Sequence, residues 1–189
     1  WTQRLLARAQ RARSASRADR VAQAEQTVTD QPNDLEAWMK LADELIGVGQ
    51  RQAAVQRLLQ VQERFADVGA YHRCLADALL MSSRRQEGIT RYRQAVRLEP
   101  DNAAWSAELA AVLLDRRADG DLAEARVLID RAYALAPRSI AVRLCRAELL
   151  TLDNRPTEAA ALYRAVAADL PPDSDLRRTC EMRARSLTP

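Results

Sequence analysis

Apolar and small residues recur along this chain at helical spacing, and the whole pattern then returns 34 residues later. Trp38, Leu41, Ala42, Leu45, Ala54, Leu58, Val61 and Ala66 are answered at that offset by His72, Leu75, Ala76, Leu79, Gly88, Tyr92, Ala95 and Pro100. Steps of three and four within each set put these positions on one face of an α-helix, and the interruption between Leu45 and Ala54 divides each set into two helices. The third copy resumes with Leu109, Ala110 and Leu113, but its second helix is displaced by three residues, to Ala125, Ile129, Ala132 and Pro137. The turn around Asp115 to Asp121 is therefore longer there. The fourth copy carries Ala147, Leu150, Ala159, Tyr163, Val166 and Pro171. A fixed period of this size means a helix pair stacked on copies of itself, because a single pair cannot bury its own apolar face.

End signals agree with this division. Asp34 is placed to cap a helix running to about Gly47, Gly49 suits the turn after it, and a second helix is predicted over Arg51 to Arg64. Asp119, Gly120 and Asp121 supply turn and cap chemistry in the lengthened third copy, and Pro156 stands in the first turn of a helix, where proline is tolerated. Asp173 to Leu187 predicts one more helix, with Leu176, Cys180, Met182 or Arg183, and Leu187 near one side, closing the stack. Before the repeats, residues 1 to 31 predict a weaker helix pair. Trp1 to Arg13 sets Leu5, Leu6 and Ala9 opposite Arg4, Arg8 and Arg11, Ser14 to Ser16 makes a break, and Val21, Ala22, Ala24 and Val28 line the second helix.

Composition sharpens the class. With 48% hydrophobic but only 4% aromatic residues and five glycines, the chain is an Ala/Leu-packed helical protein. No apolar run reaches the roughly 18 residues of a membrane span. The formal charge of +3 is concentrated in residues 1 to 31, where six arginines face Asp19, Glu25 and Asp30. That basic face reads as solvated surface, as a contact to an acidic partner, or as a segment beside a membrane. The rest is balanced, without the basic stripe of a nucleic-acid binder, so nucleic-acid contact reduces to the first helix. Cys74, Cys145 and Cys180 lack metal-ligand spacing and read as packed thiols. The chain begins with Trp1 rather than Met, which leaves room for an upstream signal or anchor and leaves the compartment open.

Small residues at the eighth and twentieth places, Leu at the seventh and eleventh, an aromatic or Leu at the twenty-fourth and Pro at the thirty-second resemble the tetratricopeptide repeat family. The resemblance implies an all-α, right-handed superhelical solenoid of helix-turn-helix repeats. Its divisions are a degenerate helix pair at 1–33, four repeats at 34–67, 68–101, 102–138 and 139–171, and a capping helix at 172–189. In such repeats Ala42, Ala54, Ala76, Gly88, Ala110, Ala125, Ala147 and Ala159 let the two helices approach, while Trp38, Leu58 and Tyr92 fill the space between units. His72 and Arg143 depart from the Trp38 pattern, and Arg146 departs from Leu. Arg146 should reach outward along its aliphatic stem, and the fourth repeat is the one expected to be distorted. The long third turn, Leu170 to Ser174 and the following helix are also similar to the periplasmic repeat domain of bacterial c-type cytochrome biogenesis proteins, which binds apocytochrome c. The run Gly120 to Pro137 is equally similar to repeats of bacterial envelope and secretion scaffolds. The first of these implies a periplasmic, membrane-tethered assembly factor; otherwise a cytoplasmic scaffold is expected.

Catalysis has little to work with. His72, the single histidine, falls at a packing position with no predicted nucleophile or carboxylate partner, and no phosphate loop or metal cluster is present in the sequence. No cofactor and no metal are expected, and the chain reads as a non-enzyme. The family instead implies a peptide-binding groove lined by the first helix of each repeat: Met39, Asp43 and Ile46; Arg73, Asp77 and Leu80; Ala107, Ala111 and Leu114; Leu144, Glu148 and Thr151. Met81 and Leu152 adjoin it. An apolar floor with a few carboxylates suits a helical or extended partner segment bearing basic residues. Alternatively the alanines only permit tight stacking. A self-association module, using end faces or the basic first helix, is the other structural reading. Clamping of a chaperone tail is excluded by Met39 with Asp43 and Arg73 with Asp77, where that mode needs Lys and Asn.

Overall fold

A computed structural model describes residues 2–187, with side chains from residue 16 onward. Ten helices and no strand make up the regular structure of the described residues. They form two compact units, Trp1–Leu98 and Glu99–Pro189. The first holds α1 (Thr2–Asp30), α2 (Leu35–Gly47), α3 (Arg51–Leu59), α4 (Gly69–Met81) and α5 (Arg85–Leu98). The second holds α6 (Ala103–Arg116), α7 (Asp121–Leu135), α8 (Ile140–Leu152), α9 (Pro156–Ala168) and α10 (Asp175–Ser186).

The repeat pairs are therefore α2 with α3, α4 with α5, α6 with α7 and α8 with α9. Their small residues do what the spacing requires: Ala42, Ala54, Ala76, Ala110, Ala125, Ala147 and Ala159 are all fully buried. At Gly88 the approach is closer still. A Cβ there would stand 3.0 Å from Leu80 Cδ2 and 3.1 Å from the Ala76 carbonyl oxygen, so no larger residue fits without displacement. Asp34 caps α2 by accepting the Glu36 amide at 3.0 Å. Pro156 is in the first turn of α9, and Ser174 caps α10.

In unit 1, the break expected at Ser14–Ser16 does not occur: α1 is one helix from Thr2 to Asp30. Serine costs a helix only about 0.5 kcal/mol relative to alanine, and without Gly or Pro the flanking Arg and Ala residues carry the helix through. The faces expected of Leu5, Leu6, Ala9 and Arg4, Arg8, Arg11 fall outside the described side chains. The C-terminal half of α1 serves as the partner of α2, burying Ala24 and Val28. Ala24 lies 34 residues before Leu58, so this half is in register with the second helices of the repeats.

The second helix of the first repeat is shorter than the Arg51–Arg64 expected, with α3 ending at Leu59. Beyond it the backbone tightens into three-residue turns, Val61 N–H to Leu58 O at 3.2 Å and Arg64 N–H to Val61 O at 3.1 Å. Two bonds from α4 hold this segment. Tyr71 donates its hydroxyl to Leu58 O at 2.9 Å, and His72 Nε2 meets Ala66 O at 2.8 Å. The second bond repeats one found 34 residues earlier, where Trp38 Nε1 donates to Pro32 O at 3.0 Å. A ring N–H at this place thus ties each first helix of unit 1, α2 and α4, to the carbonyl six residues before it.

Unit 2 handles its departures with charge. Arg143, at the Trp38 place, donates to Asp169 Oδ2 at 2.7 Å. Arg146 is half-buried and lays its guanidinium 4.0 Å above the Tyr133 ring. The last helix buries Cys180 and Ala184, whereas Met182 stands 63% exposed on the outside. A helical step of four from Cys180 selects Ala184, which is why the inward stripe misses Met182.

Candidate binding faces

Asp43 on α2 and Arg73 and Asp77 on α4 form one electrostatic cluster in unit 1. Arg73 pairs with Asp77 at 3.0 Å, and Tyr92 on α5 donates its hydroxyl to the other oxygen of Asp77. Burial raises the Asp43 pKa above the usual carboxylate value; Arg73 opposes the rise, and Asp77 and Glu44 add to it. Glu44 itself is held by Arg20 Nε at 2.9 and 3.1 Å. Beneath the cluster the buried Cys74 thiol is pushed up to about 12, first by desolvation and then by Asp43 and Asp77. A thiol so far from ionisation is a packing group rather than a nucleophile. Met39 and Ile46, both half-buried, pack against the core beside α2, and Leu80 is half-buried against Gly88. All six expected residues thus keep accessible surface: Asp43 is exposed and the other five are half-buried, close to charge or to the core edge. Met81 is exposed and lines a shallow cavity with Gly49–Ala53, Ser82 and Ser83.

Unit 2 divides its six. Ala111 is exposed, and Leu144, Glu148 and Thr151 are half-buried. Thr151 donates to Ala147 O at 2.9 Å, within its own helix. Leu144 packs on the cluster of Ala147, Tyr163 and Cys180. Glu148 lies near enough to Tyr163 and Cys145 to help raise both, after burial, which is the larger cause for each. Ala107 and Leu114, also expected on the ligand face, are each 1% exposed. The Cys145 thiol donates to Ala107 O at 3.4 Å, so α6 and α8 meet there and cover Ala107. Leu114 instead forms the floor of a cavity of about 240 Å³ with Leu113, Arg117, Ala118, Leu122 and Leu152.

Sequence reasoning assigned Tyr92 only to filling space and so missed its grip on Asp77. A signal was available: tyrosine rather than leucine stands at this place in two repeats, Tyr92 and Tyr163, and each has a carboxylate, Asp77 or Glu148, on the preceding first helix. The longer third turn also has an unforeseen centre. Asp121 is 2% exposed, accepts the Ala118 amide at 2.8 Å and Arg116 Nε at 2.8 Å, and so closes the loop on itself.

Helix pairs of this period, with small residues at the crossing and a ring clamp at the entry, define a helical-hairpin repeat protein. Residues 14–79 match the tetratricopeptide repeat model. The matched segment, about a third of the chain, runs from the second half of α1 to α4. No curated protein matches the sequence. Among solved structures it is similar to a thermophilic tetratricopeptide repeat protein of Thermus thermophilus, with a TM-score of 0.70 at 20% identity over 93% of this chain and 94% of that one. Yeast Tom70 aligns with a TM-score of 0.76 at 17% identity, over 88% of this chain and 35% of that one. MamA from Desulfovibrio magneticus aligns with a TM-score of 0.66 at 17% identity, over 86% of this chain and 91% of that one. At these identities the likeness is one of fold.

Proposed function

We propose that the chain is a non-catalytic scaffold that captures a segment of a partner protein on the exposed faces of its first helices, the α2/α4 face taking a basic residue. The observation that carries this reading is the Asp43–Asp77 pair. Two carboxylates from different helices share one partly buried patch, and Arg73 is the cation set against both. A lysine or arginine from a partner would offset the desolvation and the Asp77 and Glu44 repulsion that raise Asp43, so the face is better satisfied bound than free. Met39, Ile46 and Leu80 supply apolar surface for the neighbouring residues of such a segment, and a methionine adapts to irregular shapes.

The Leu170–Ser174 turn and the helix that Ser174 caps form the segment similar to c-type cytochrome biogenesis proteins. An apocytochrome c segment is the partner that resemblance implies. The test is capture from an extract by the full chain, followed by identification of the bound segment, with Asp43→Arg and Met39→Glu as the decisive variants. Both residues keep accessible surface, so helical content should stay intact while capture is lost. Undiminished capture by both variants removes the α2/α4 face from consideration.

A further inference from the structure

The turn after each first helix contains a residue with positive φ one or two places past the helix end, and the longer third turn has a second, Gly120, just before α7. The residues just past the helix ends are Gly49 at 84°, Ser83 at 62°, Arg117 at 55° and Asn154 at 57°. Glycine, serine and asparagine are short, and glycine and asparagine enter this left-handed region most readily. Arginine is the outlier of the series. It carries a full Cβ and a long stem into a conformation that glycine occupies without strain. In return Arg117 Nε–H donates to Leu114 O at 3.2 Å, at the C-terminal end of α6. That uses one of its five N–H groups, and the terminal nitrogens meet no partner among the described residues. Arg117 also walls the 240 Å³ cavity whose other sides are four leucines and Ala118. Leu122 is 40% exposed at its edge and Leu152 is half-buried, so the cavity opens to solvent. Two neighbours settle the local charge: the Asp121 carboxylate is taken by Arg116 and the Ala118 amide, while Asp119 lies exposed in the same loop.

We propose that this cavity in unit 2 is a docking site for a helical segment that presents a large apolar residue and a carboxylate one turn apart. The apolar side chain enters among Leu113, Leu114, Leu122 and Leu152, and the Asp or Glu accepts from the free end of Arg117. Helical spacing follows from the geometry of the site. Cavity and guanidinium adjoin, and residues three or four apart on a helix share one face with their Cβ atoms about 5–6 Å apart, whereas neighbours on an extended chain point to opposite sides. A guanidinium left unpaired beside an apolar wall favours a carboxylate, to which it can donate two parallel bonds. The site is separate from the Asp43–Asp77 face in both position and charge preference.

The probe is a fluorescein-labelled, Ala-rich helical peptide with Leu and Glu four residues apart, titrated with the full chain by fluorescence anisotropy. Saturable binding is expected, weakened roughly tenfold or more when the peptide Glu becomes Gln or the protein carries Arg117→Gln. Arg117→Gly should weaken binding equally while leaving the melting temperature unchanged or higher, since glycine relieves the left-handed strain. Asp43→Arg should bind the probe like the unaltered chain, so this site and the α2/α4 face succeed or fail separately. Four results overturn the proposal: no saturation; equal affinity for the Gln peptide; equal affinity for a peptide with Leu and Glu two residues apart or for a short peptide ending in Leu with a free carboxylate; or a lowered melting temperature in Arg117→Gly, which would make the arginine a helix cap.

Discussion

Replacing Asp121 by alanine should destabilise unit 2 selectively. The carboxylate is 2% exposed and accepts Arg116 Nε–H, a second guanidinium N–H of Arg116 and the Ala118 amide. Two limits bracket the cost. Exposed ion pairs contribute up to about 1 kcal/mol, whereas breaking a buried pair costs about 3–5 kcal/mol. Arg116 retains 20% of its side-chain surface, so water can solvate the cation left behind, which moves the cost below the buried limit. The Ala118 amide loses its acceptor, and α7 loses a carboxylate at its N-terminus, contributing roughly another 0.3–1 kcal/mol. The sum lies near 2–3 kcal/mol. For a unit spanning Glu99–Pro189 that corresponds to a fall of roughly 8–24 °C in the midpoint of its transition. Urea and thermal unfolding followed by circular dichroism measure it, with the unit 2 transition fitted separately because repeat arrays need not unfold in one step. Asp119→Ala, an exposed change in the same loop, should alter stability by less than about 0.5 kcal/mol. An Asp121→Ala loss no larger than that of Asp119→Ala would refute the reasoning.

His72 is held neutral, with a pKa lowered by burial and with Nδ1 unpartnered. Since its folded value lies below the unfolded value of about 6.5, stability is complete above pH 6.5 and is lost as pH falls below it. The urea midpoint should drop between pH 7.5 and 5.5, and His72→Gln, which keeps a donor for Ala66 O, should flatten that slope. Gly88→Ala should lower stability by about 1 kcal/mol in chemical denaturation: overpacking against Leu80 and the Ala76 carbonyl costs about 1–3 kcal/mol, and the helix-propensity gain returns only about 1. Tyr92→Phe removes the hydroxyl from Asp77, should cost about 1 kcal/mol in the unit 1 transition, and leaves Arg73 as the remaining hold on the carboxylate.

The period of 34, the small residues at the helix crossings and the caps at Asp34 and Pro156 were legible in the sequence because each rests on local or repeating physics. Helical spacing and backbone sterics at a crossing do not depend on what lies far away in the chain. Tertiary structure decided the rest, and each decision involved partners distant in sequence. The length of α3 depends on Tyr71 and His72, which hold the residues beyond it in tighter turns. Ala107 and Leu114 are indistinguishable from Ala111 by repeat position, but α8 comes close enough to bury the first, and the long third turn draws the second into a cavity. Register assigns a residue to a face of its own helix. What covers that face is set by the neighbouring helix, and that is why the accessible part of the binding surface had to be read from the fold.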